Sequence, residues 1–468
     1  RWLSDWSSDV CSSDLEILDG YKYKIIGKSE LRQFSVKIAD YDAFISKYSS
    51  YIKNVVTDAE YETSVIPNDE YYDGQWALYT MNLESAWNFE TGSNEVYVAV
   101  IDSGVDRSNP DLINADIRQG WDVIFDDIVD WDSTGHGSLV TGIIGASTNN
   151  GIGISAVNWN VAIIPYRVVY YDGSIYSSDV AAAIYAAADV GADVINLSLG
   201  GTTNDTVVSN AIAYALSKGT IVVAAAGNSG TTAYMYPASN TGVISVGSIN
   251  YKNTVSTFSQ HNDRIDVVAP GELITSTADY TSCGSCYYEV VDGTSFSSPY
   301  VAGVAALAKA FYPLLTPAKF ESILKYSSRD LGTTGFDPYY GNGLVDAERV
   351  LRYLAAPITP VNFQIDSISD KQMSVSWTKT EEYDVTAYQL EYKASTTETW
   401  TVLSSTITPS TTSYTKTALL NGTTYEFRIK SKDHNGTWSA YSSVLSGTPI
   451  DNLAPASPAS FKVASVTN

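Results

Sequence analysis

Short apolar runs alternate with helix-like segments between residues 96 and 249, and this alternation restricts the fold more than any other feature of the chain. The runs include VYVAVID, VAIIPYRVV, ADVINLSLG, TIVVAAAGN and GVISVGSI. Such alternation predicts βαβ units and a parallel sheet. Because the runs are apolar at successive positions, we expect helices on both faces of the sheet. Ligands and catalytic groups gather at the carboxyl ends of strands in such a sheet.

Length and charge narrow the class of protein further. The chain has 468 residues, enough for two or three domains with separate cores. It carries 52 acidic and 28 basic residues and a formal net charge of −24, so nucleic acid and anionic membranes are poor partners. Solubility is the simplest reason for the acidity. No apolar run approaches the roughly 18 residues of a membrane span, so no transmembrane segment is predicted.

The domain organisation follows from changes in composition along the chain. Residues 1–15, RWLSDWSSDVCSSDL, show neither part of a secretory signal and are expected to be unstructured or non-native. Residues 16–66 indicate a small α+β unit, and residues 67–356 form the α/β domain. After the linker AAPITP, alternating strands predict a β-sandwich over residues 357–449. Residues 450–468 contain a second linker and the start of a repeat of that module.

Three polar residues stand where chemistry is expected. Asp102 ends the run VAVID, His136 lies between two glycines in STGHGS, and Ser295 lies in VDGTSFSSPYVAG at the start of an apolar, helix-like segment. Each has an ordinary alternative: a turn or cap for Asp102, a structural histidine, and a capped buried helix around Ser295. The chain has only three histidines, and His261 and His434 lie in polar loops. A serine nucleophile needs a base, and the base needs an orienting acid.

The three motifs VIDSGVD, GHGSLVTGI and GTSFSSPYVAG resemble the Asp, His and Ser motifs of the subtilase family of serine proteases, in that family's chain order. The resemblance extends over residues 67 to 356. It implies that Ser295 attacks the peptide carbonyl, that His136 moves the proton and that Asp102 orients His136. It also implies that Asn228, in AAAGNSG, stabilises the oxyanion; the alternative for Asn228 is a turn residue. No catalytic cofactor is implied.

Substrate contacts are implied by the stretch LSLGG. Ser198 and Gly200 resemble the family segment that pairs with substrate backbone, and the alternative is an ordinary strand end. The aligned pocket contains no obvious charged residue, and Met235 is expected near its base. We therefore predict broad specificity with an apolar preference.

Several positions depart from the family pattern without removing a catalytic group. Ser138 stands where Thr is usual, and Phe296, Ser297 and Tyr300 stand where Met, Ala and His are common. These departures bear on fine specificity rather than on activity.

A structural calcium site is also implied by the resemblance. Hard oxygen ligands from carboxylates, amides and backbone carbonyls suit Ca²⁺, and the expected role is stability. The alternative is a polar surface loop. The predicted ligands are Asp69, Asp111, Thr148, Asn150, Ile152 and Ile154.

The cysteines indicate a local link rather than a metal site. Cys283 and Cys286 form CGSC in a Gly/Ser-rich stretch, and Cys11 lies in the excluded opening segment. Two cysteines do not make a structural zinc site. A short disulfide on a secreted surface loop is the prediction, and two free thiols are the alternative.

The flanking modules also carry resemblances. Residues 16–66 resemble the tail of an inhibitory propeptide, with cleavage expected between Glu62 and Pro67; the alternative is an N-terminal extension of the catalytic domain. Residues 357–449 resemble a fibronectin type III domain, with Trp377 on an early strand and Leu420 and Tyr425 at its tyrosine corner.

The function predicted from these features is a secreted serine endopeptidase that is made as a zymogen. Association with the cell surface is an alternative location that the sequence leaves open. Its partners are polypeptide substrates and its own propeptide. An alternative from another class is an idle subtilase scaffold in a surface adhesion protein. The joint presence of Asp102, His136, Ser295 and Asn228 argues against that alternative.

Overall fold

The computed structural model describes residues 65–452 apart from residues 130, 285, 381 and 383, together with the strands β1 (Tyr23–Ile25) and β2 (Phe34–Val36). These two strands pair antiparallel. The chain divides into two units, residues 1–64 and residues 65–468. Some predictions concern residues that lie outside the described part of the chain. These residues are 1–15, most of the propeptide-like segment 16–66, and 453–468.

A seven-stranded parallel sheet forms the centre of the α/β region, in the order β4-β5-β3-β6-β7-β8-β9. All five apolar runs become strands of this sheet, as predicted. The strands are β3 (Gly92–Asp102), β4 (Trp121–Asp122), β5 (Asn160–Arg167), β6 (Val194–Leu197), β7 (Ile221–Ala225), β8 (Val243–Ile249) and β9 (Val267–Pro270).

Both faces of the sheet are buried, which explains the continuous apolar runs. In β3, Val98 and Val100 pack into one core, whereas Ala99 and Ile101 pack into a second core on the opposite face. Alternate side chains of a strand point to opposite faces, so a strand covered on both sides must be apolar at every position. The predicted fold class is therefore confirmed.

Helices supply the outer layers. α6 is 18 residues long and almost wholly buried in the first core, whereas α4 and α5 contribute to the second. The helices are α1 (Trp76–Thr80), α2 (Leu83–Ala86), α3 (His136–Gly145), α4 (Ser177–Asp189), α5 (Thr206–Ser217), α6 (Thr294–Phe311), α7 (Pro317–Ser327) and α8 (Ala347–Leu354), with a 3-10 turn at Tyr72–Gly74.

A β-hairpin, β10 (Ile274–Thr277) with β11 (Tyr288–Val291), precedes α6. Cys283 and Cys286 are joined by a disulfide in the segment between these strands, as predicted. The Asn109 amide nitrogen donates to the carbonyls of Ala278, at 2.9 Å, and Tyr287, at 2.7 Å. The two ends of the disulfide segment are therefore held together by one buried side chain.

The C-terminal region is an antiparallel sandwich of two sheets, β12-β13-β16 and β15-β14-β17-β18. Trp377 lies edge-on to Tyr388 in its core, with ring centroids 5.6 Å apart. The Tyr425 hydroxyl accepts a hydrogen bond from the Leu420 N–H at 3.1 Å, which is the tyrosine corner that the sequence predicted. The strands are β12 (Val361–Ser369), β13 (Gln372–Thr378), β14 (Val385–Ala394), β15 (Thr401–Ile407), β16 (Ser413–Lys416), β17 (Tyr425–Asp433) and β18 (Leu445–Gly447).

Within the part of the chain that the structure describes, no helix has the length and apolar character needed to cross a bilayer.

Candidate active site

The candidate residues meet at the carboxyl edge of the parallel sheet. Asp102 is the last residue of β3, Ser198 directly follows β6, and Asn228 lies just beyond β7. β3 has β5 on one side and β6 on the other, so the connections diverge at its carboxyl end. That point is where doubly wound sheets form their binding crevices.

Asp102 and His136 form a hydrogen-bonded pair. The Nδ1 atom of His136 lies 2.8 Å from Oδ1 of Asp102, and the aspartate side chain is only 2% exposed. His136 is the first residue of α3, and a Cβ at Gly137 would overlap the Gly104 carbonyl oxygen. A glycine at this position therefore lets α3 approach the segment that follows Asp102, which brings the two side chains together.

The electrostatic surroundings of His136 favour its protonated form. Burial acts to lower the pKa of the imidazole, but the charge and hydrogen bond of Asp102, together with the charge of Asp132, outweigh it. The net result is a pKa above the ordinary value of 6.5. The His136 side chain remains 32% exposed, so a substrate can reach it.

Ser295 is the second residue of α6, where backbone N–H groups have no partners within the helix. Among the described residues, its hydroxyl donates to the Ser198 carbonyl at 3.3 Å rather than to His136. In return, the Ser198 hydroxyl donates to the Ser295 carbonyl at 2.7 Å. These two bonds hold the start of α6 against the end of β6.

Asn228 is oriented by the residue before Ser295. Its side-chain oxygen accepts hydrogen bonds from the N–H and the hydroxyl of Thr294, both at 2.8 Å. The amide nitrogen is therefore directed elsewhere, and it lies 3.4 Å from the position that a Cβ of Gly293 would occupy. An amide donor thus stands beside the N-terminus of α6, close to the N–H of Ser295.

The predicted substrate segment lies along a groove. Gly201 and Tyr236 exchange backbone hydrogen bonds of 2.8 and 2.7 Å, and a Cβ at Gly200 would lie 3.1 Å from the Tyr236 carbonyl. The end of the Met235 side chain lies 3.8 Å from the position of that Cβ. The groove has a volume of about 430 Å³, and its apolar lining includes Ile175, Val180, Leu199, Val208 and Pro237.

The departures from the family pattern are mostly buried. The Phe296 ring packs near the His136 imidazole, with centroids 5.5 Å apart. Ser297 and Tyr300 are buried in α6. Ser138 accepts a hydrogen bond from the Asp106 N–H through its hydroxyl at 2.8 Å. Phe296 therefore lies beside a residue of the candidate catalytic set.

One carboxylate near His136, that of Asp132, was not among the site residues predicted from the sequence. Asp132 is 8% exposed and accepts hydrogen bonds from residues at the start of α3. The available signal was an aspartate shortly before a predicted helix, which is a common capping pattern. That pattern does not distinguish a cap from a member of a catalytic network.

The predicted calcium ligands do come together, around the turn of residues 148–155. Asp69 accepts the N–H of Asn150 at 2.9 Å, and Asp111 accepts the Asn150 side-chain amide at 2.8 Å and the Ile154 N–H at 2.7 Å. The Ile152 N–H donates to the Asn150 side-chain oxygen at 2.9 Å. The Thr148 hydroxyl accepts the Ala156 N–H at 2.8 Å.

Both carboxylates of this cluster are buried. Asp69 is 5% exposed and Asp111 is fully buried, and neither forms an ion pair with a described lysine or arginine. Burial raises the pKa of Asp111 to about 6, and the charge of Asp69 contributes to the rise. In the described part of the chain, no group of three or more His, Cys, Asp or Glu side chains could hold a metal, so a cation here depends on the amide and carbonyl oxygens of the turn.

Comparison with known families agrees with this geometry. The pattern of the Subtilase family matches residues 93–343, and that of the fibronectin type III domain matches residues 357–447. The chain therefore belongs to the subtilase family and carries a fibronectin type III domain.

Individual relatives support the same assignment. The chain is 43% identical over 242 residues to the thermophilic serine proteinase of Bacillus sp. (strain AK1), covering 52% of this chain and 59% of that protein. It is 35% identical over 288 residues to thermitase of Thermoactinomyces vulgaris, covering 61% of this chain and 99% of thermitase. These relatives confirm the predicted enzyme class, a subtilisin-like serine endopeptidase, at the level of the family.

A solved structure shares the fold. A protease of Pseudoalteromonas arctica PAMC 21717 superposes with a TM-score of 0.57 at 34% identity, covering 62% of this chain and 99% of that one.

Proposed function

We propose that this chain is a secreted serine endopeptidase that is made as a zymogen and hydrolyses polypeptides through an acyl-enzyme on Ser295. The observation that carries the proposal is the 2.8 Å hydrogen bond between the buried Asp102 and His136, at the sheet edge where Ser295 lies in the first turn of α6. An aspartate, a histidine and a serine at one crevice are the components of nucleophilic acyl transfer.

In the proposed reaction, the Ser295 hydroxyl leaves the Ser198 carbonyl and gives its proton to Nε2 of His136 as its oxygen bonds to the substrate carbonyl carbon. Asp102 holds Nδ1 and stabilises the imidazolium. His136 then protonates the leaving amine, and a water hydrolyses the ester by the same route. The Asn228 amide and the Ser295 N–H donate to the oxyanion of each tetrahedral intermediate.

The first test is casein hydrolysis by the full chain and by its Ser295→Ala variant. We expect kcat to fall by about 10⁶-fold, as in subtilisin. Ser297→Ala is the matched control, because the Ser297 hydroxyl is buried two residues further along α6 and has no hydrogen-bond partner among the described residues. A folded wild type that leaves casein intact would instead favour the alternative, an idle scaffold in a surface adhesion protein.

Broad specificity with an apolar preference is part of the proposal. Its support is the apolar lining of the groove beside Leu199 and Gly200. Asp205 also lines the groove, but it already accepts hydrogen bonds from Ser177 and the Val207 N–H. A peptide library should therefore show enrichment of large apolar residues on the acyl side of the cleaved bond, and enrichment of basic residues would contradict the proposal.

The proposed structural calcium would be held by carboxylate and amide oxygens of Asp69, Asp111 and Asn150 with carbonyl oxygens of residues 148, 152 and 154. When bound, it would neutralise the two buried carboxylates. Support comes from their burial without a cationic partner and from Gly153, where a Cβ would fill the space beside Asp111. Calcium should raise the thermal unfolding midpoint of the Ser295→Ala chain by mass action, and Asp69→Asn should abolish that increment.

Zymogen activation and secretion complete the proposal. The boundary between the two units, at residues 64 and 65, lies inside the predicted cleavage window from Glu62 to Pro67. A disulfide between Cys283 and Cys286 suits an oxidising, extracellular setting. Mass spectrometry should show that only chains with Ser295 shed the segment ending in this window. Retention of the segment by an active chain would point to an N-terminal extension instead.

A further inference from the structure

We propose that Asp132 is a second acidic member of the catalytic apparatus, a positioning residue that fixes the first turn of α3 and keeps a negative charge beside His136. This inference rests on the proposed function, because it assigns a task within the Asp102, His136 and Ser295 mechanism. Its first support is geometric. Asp132 lies four residues before His136 and is 8% exposed.

The hydrogen bonds of Asp132 account for the position of His136. Its Oδ1 atom accepts from the N–H groups of Gly135, at 2.9 Å, and Thr134, at 3.2 Å. Its Oδ2 atom accepts from both the N–H and the hydroxyl of Ser138, each at 2.7 Å. Backbone groups on both sides of His136 are thereby held by one carboxylate, so the His136 backbone cannot shift without breaking these bonds.

A serine links the two acidic residues. The Ser103 hydroxyl donates to Asp132 Oδ1 at 2.6 Å and accepts the Gly137 N–H at 2.8 Å, while the Ser103 N–H donates to Asp102 Oδ1 at 2.7 Å. Ser103 therefore joins Asp102, Asp132 and the first turn of α3 into one network. Positioning of this kind matters because a misplacement of about 1 Å can cost on the order of 10²-fold in rate.

The charge of Asp132 has a separate effect. All five donors point at a carboxylate, which is an acceptor-only group when ionised, and none of the described lysines or arginines forms an ion pair with it. The imidazolium formed when His136 takes the proton of Ser295 is therefore stabilised by two negative charges. Asp132 acts alongside Asp102 in holding the pKa of His136 above its ordinary value.

Other groups also lie near His136, and their effect on its pKa must be distinguished from the effect of Asp132. Asp106 donates its backbone N–H to Ser138, and the Phe296 ring covers His136 from α6. Asp279 comes from the disulfide segment, and its Cβ would lie 3.5 Å from a Cβ at Gly135. Of these groups, Asp279 offers the closest match to Asp132.

Asp279→Asn is therefore the control for Asp132→Asn. Asp279 is also 8% exposed, and it too accepts hydrogen bonds from the N–H and hydroxyl of one residue, Thr281, and from the N–H of Ser282. Both substitutions remove one buried charge and keep one carbonyl oxygen. They differ in that Asp132, but not Asp279, contributes to the raised pKa of His136.

The experiment is a histidine NMR titration of the full chain carrying Ser295→Ala, which prevents self-cleavage. The chain has three histidines, so His261 and His434 serve as internal references. We expect Asp132→Asn to move the titration midpoint of His136 to lower pH and Asp279→Asn to leave it in place. A midpoint that is the same in both variants would overturn the proposal. This readout does not need proteolysis, so it stays informative even if the wild type proves inactive.

Two activity measurements complete the test in chains that keep Ser295. The acid limb of kcat/KM should move to lower pH in Asp132→Asn and stay in place in Asp279→Asn. Ser103→Ala cuts the link to α3 but keeps both charges, so kcat should fall by up to about 10²-fold while the His136 midpoint is unchanged. If Asp132→Asn does not fold, Ser103→Ala decides alone, because an unchanged kcat would contradict the positioning role.

Discussion

Two buried pairs of carboxylates lie in different surroundings in this molecule. Asp102 and Asp132 flank His136, a base that can carry positive charge. Asp69 and Asp111 flank the turn of residues 148–155, where every described partner is an N–H, an amide or a hydroxyl.

The difference shows how partners decide what a buried carboxylate does. Near His136, the negative charges raise the pKa of the imidazole, which is the group that accepts a proton in the proposed reaction. Near the turn, burial raises the pKa of Asp111 itself to about 6, because dipoles alone compensate less than a full positive charge. The first pair suits chemistry, and the second suits a bound cation.

The largest expected effect is at the first pair. Asp102→Asn should lower kcat by on the order of 10⁴-fold, because an amide no longer holds His136 in the tautomer that accepts a proton at Nε2. Asp69→Asn is the same change in the second pair, and kcat should stay within a few-fold as long as the chain remains folded. Steady-state kinetics on a peptide substrate measure both. Similar losses in the two variants would remove the distinction between the pairs.

The second prediction concerns the fit of the turn around Asp111. Gly153 has a φ of +61°, and a Cβ there would overlap the Asp111 carboxylate, whereas Gly151 has a φ of +81° and open space around it. Gly153→Ala should destabilise the chain by about 3 kcal/mol or more, and Gly151→Ala by about 1 kcal/mol. Thermal unfolding of the Ser295→Ala chain compares the two. Equal losses would mean that only backbone conformation matters at this turn.

The third prediction concerns the disulfide segment, which contacts both regions. The Ser282 side chain lies near Gly135 beside His136, and Tyr288 hydrogen-bonds Asp111. The disulfide closes a separation of only three residues, so Cys283→Ser with Cys286→Ser should cost about 2 kcal/mol or less. Calorimetry measures the loss. A much larger value would show that the link supports both regions rather than one short loop.

The smallest effect is on stability as a function of pH. Because the pKa of His136 is raised in the folded state, its charged form contributes stability that is fully present below the unfolded value of about 6.5. That contribution is lost as pH rises through the folded value. In the Ser295→Ala chain, His136→Gln should lower the thermal unfolding temperature by more at pH 5.5 than at pH 9. The opposite order would mean that burial outweighs the two carboxylates.

Much of the fold was predictable because local and global preferences agree. Val98 to Ile101 are apolar at every position because β3 is covered on both faces, and this pattern is typical of strands in a parallel sheet. Tyr425 was predictable in the same way, because its corner contact reaches back only to Leu420. The hairpin β10-β11 was less accessible, since Thr277 and Tyr288 are paired across a segment with few apolar residues.

The candidate site likewise contains some residues that could be predicted from the sequence and others that could not. Asp102, His136, Ser295 and Asn228 stand in motifs whose order in the chain is distinctive, so they could be named from sequence. Asp132 could not be assigned a role, since an aspartate before a helix is commonplace. The hydrogen bond that Ser295 makes to Ser198 was also inaccessible, because the two residues are brought together by α6 packing against β6.

The order of amino acids was enough to predict a parallel α/β domain and a following β-sandwich, which the structure confirms, and to propose the residues of acyl transfer. These predictions depend on periodicity and on short motifs. Folding in three dimensions was needed to separate the two pairs of carboxylates. Asp102, Asp132, Asp69 and Asp111 are the same residue type. The surroundings of these carboxylates differ in burial and in the hydrogen-bond donors that distant segments bring within about 3 Å. Such contacts cannot be predicted from the residues on either side in the sequence.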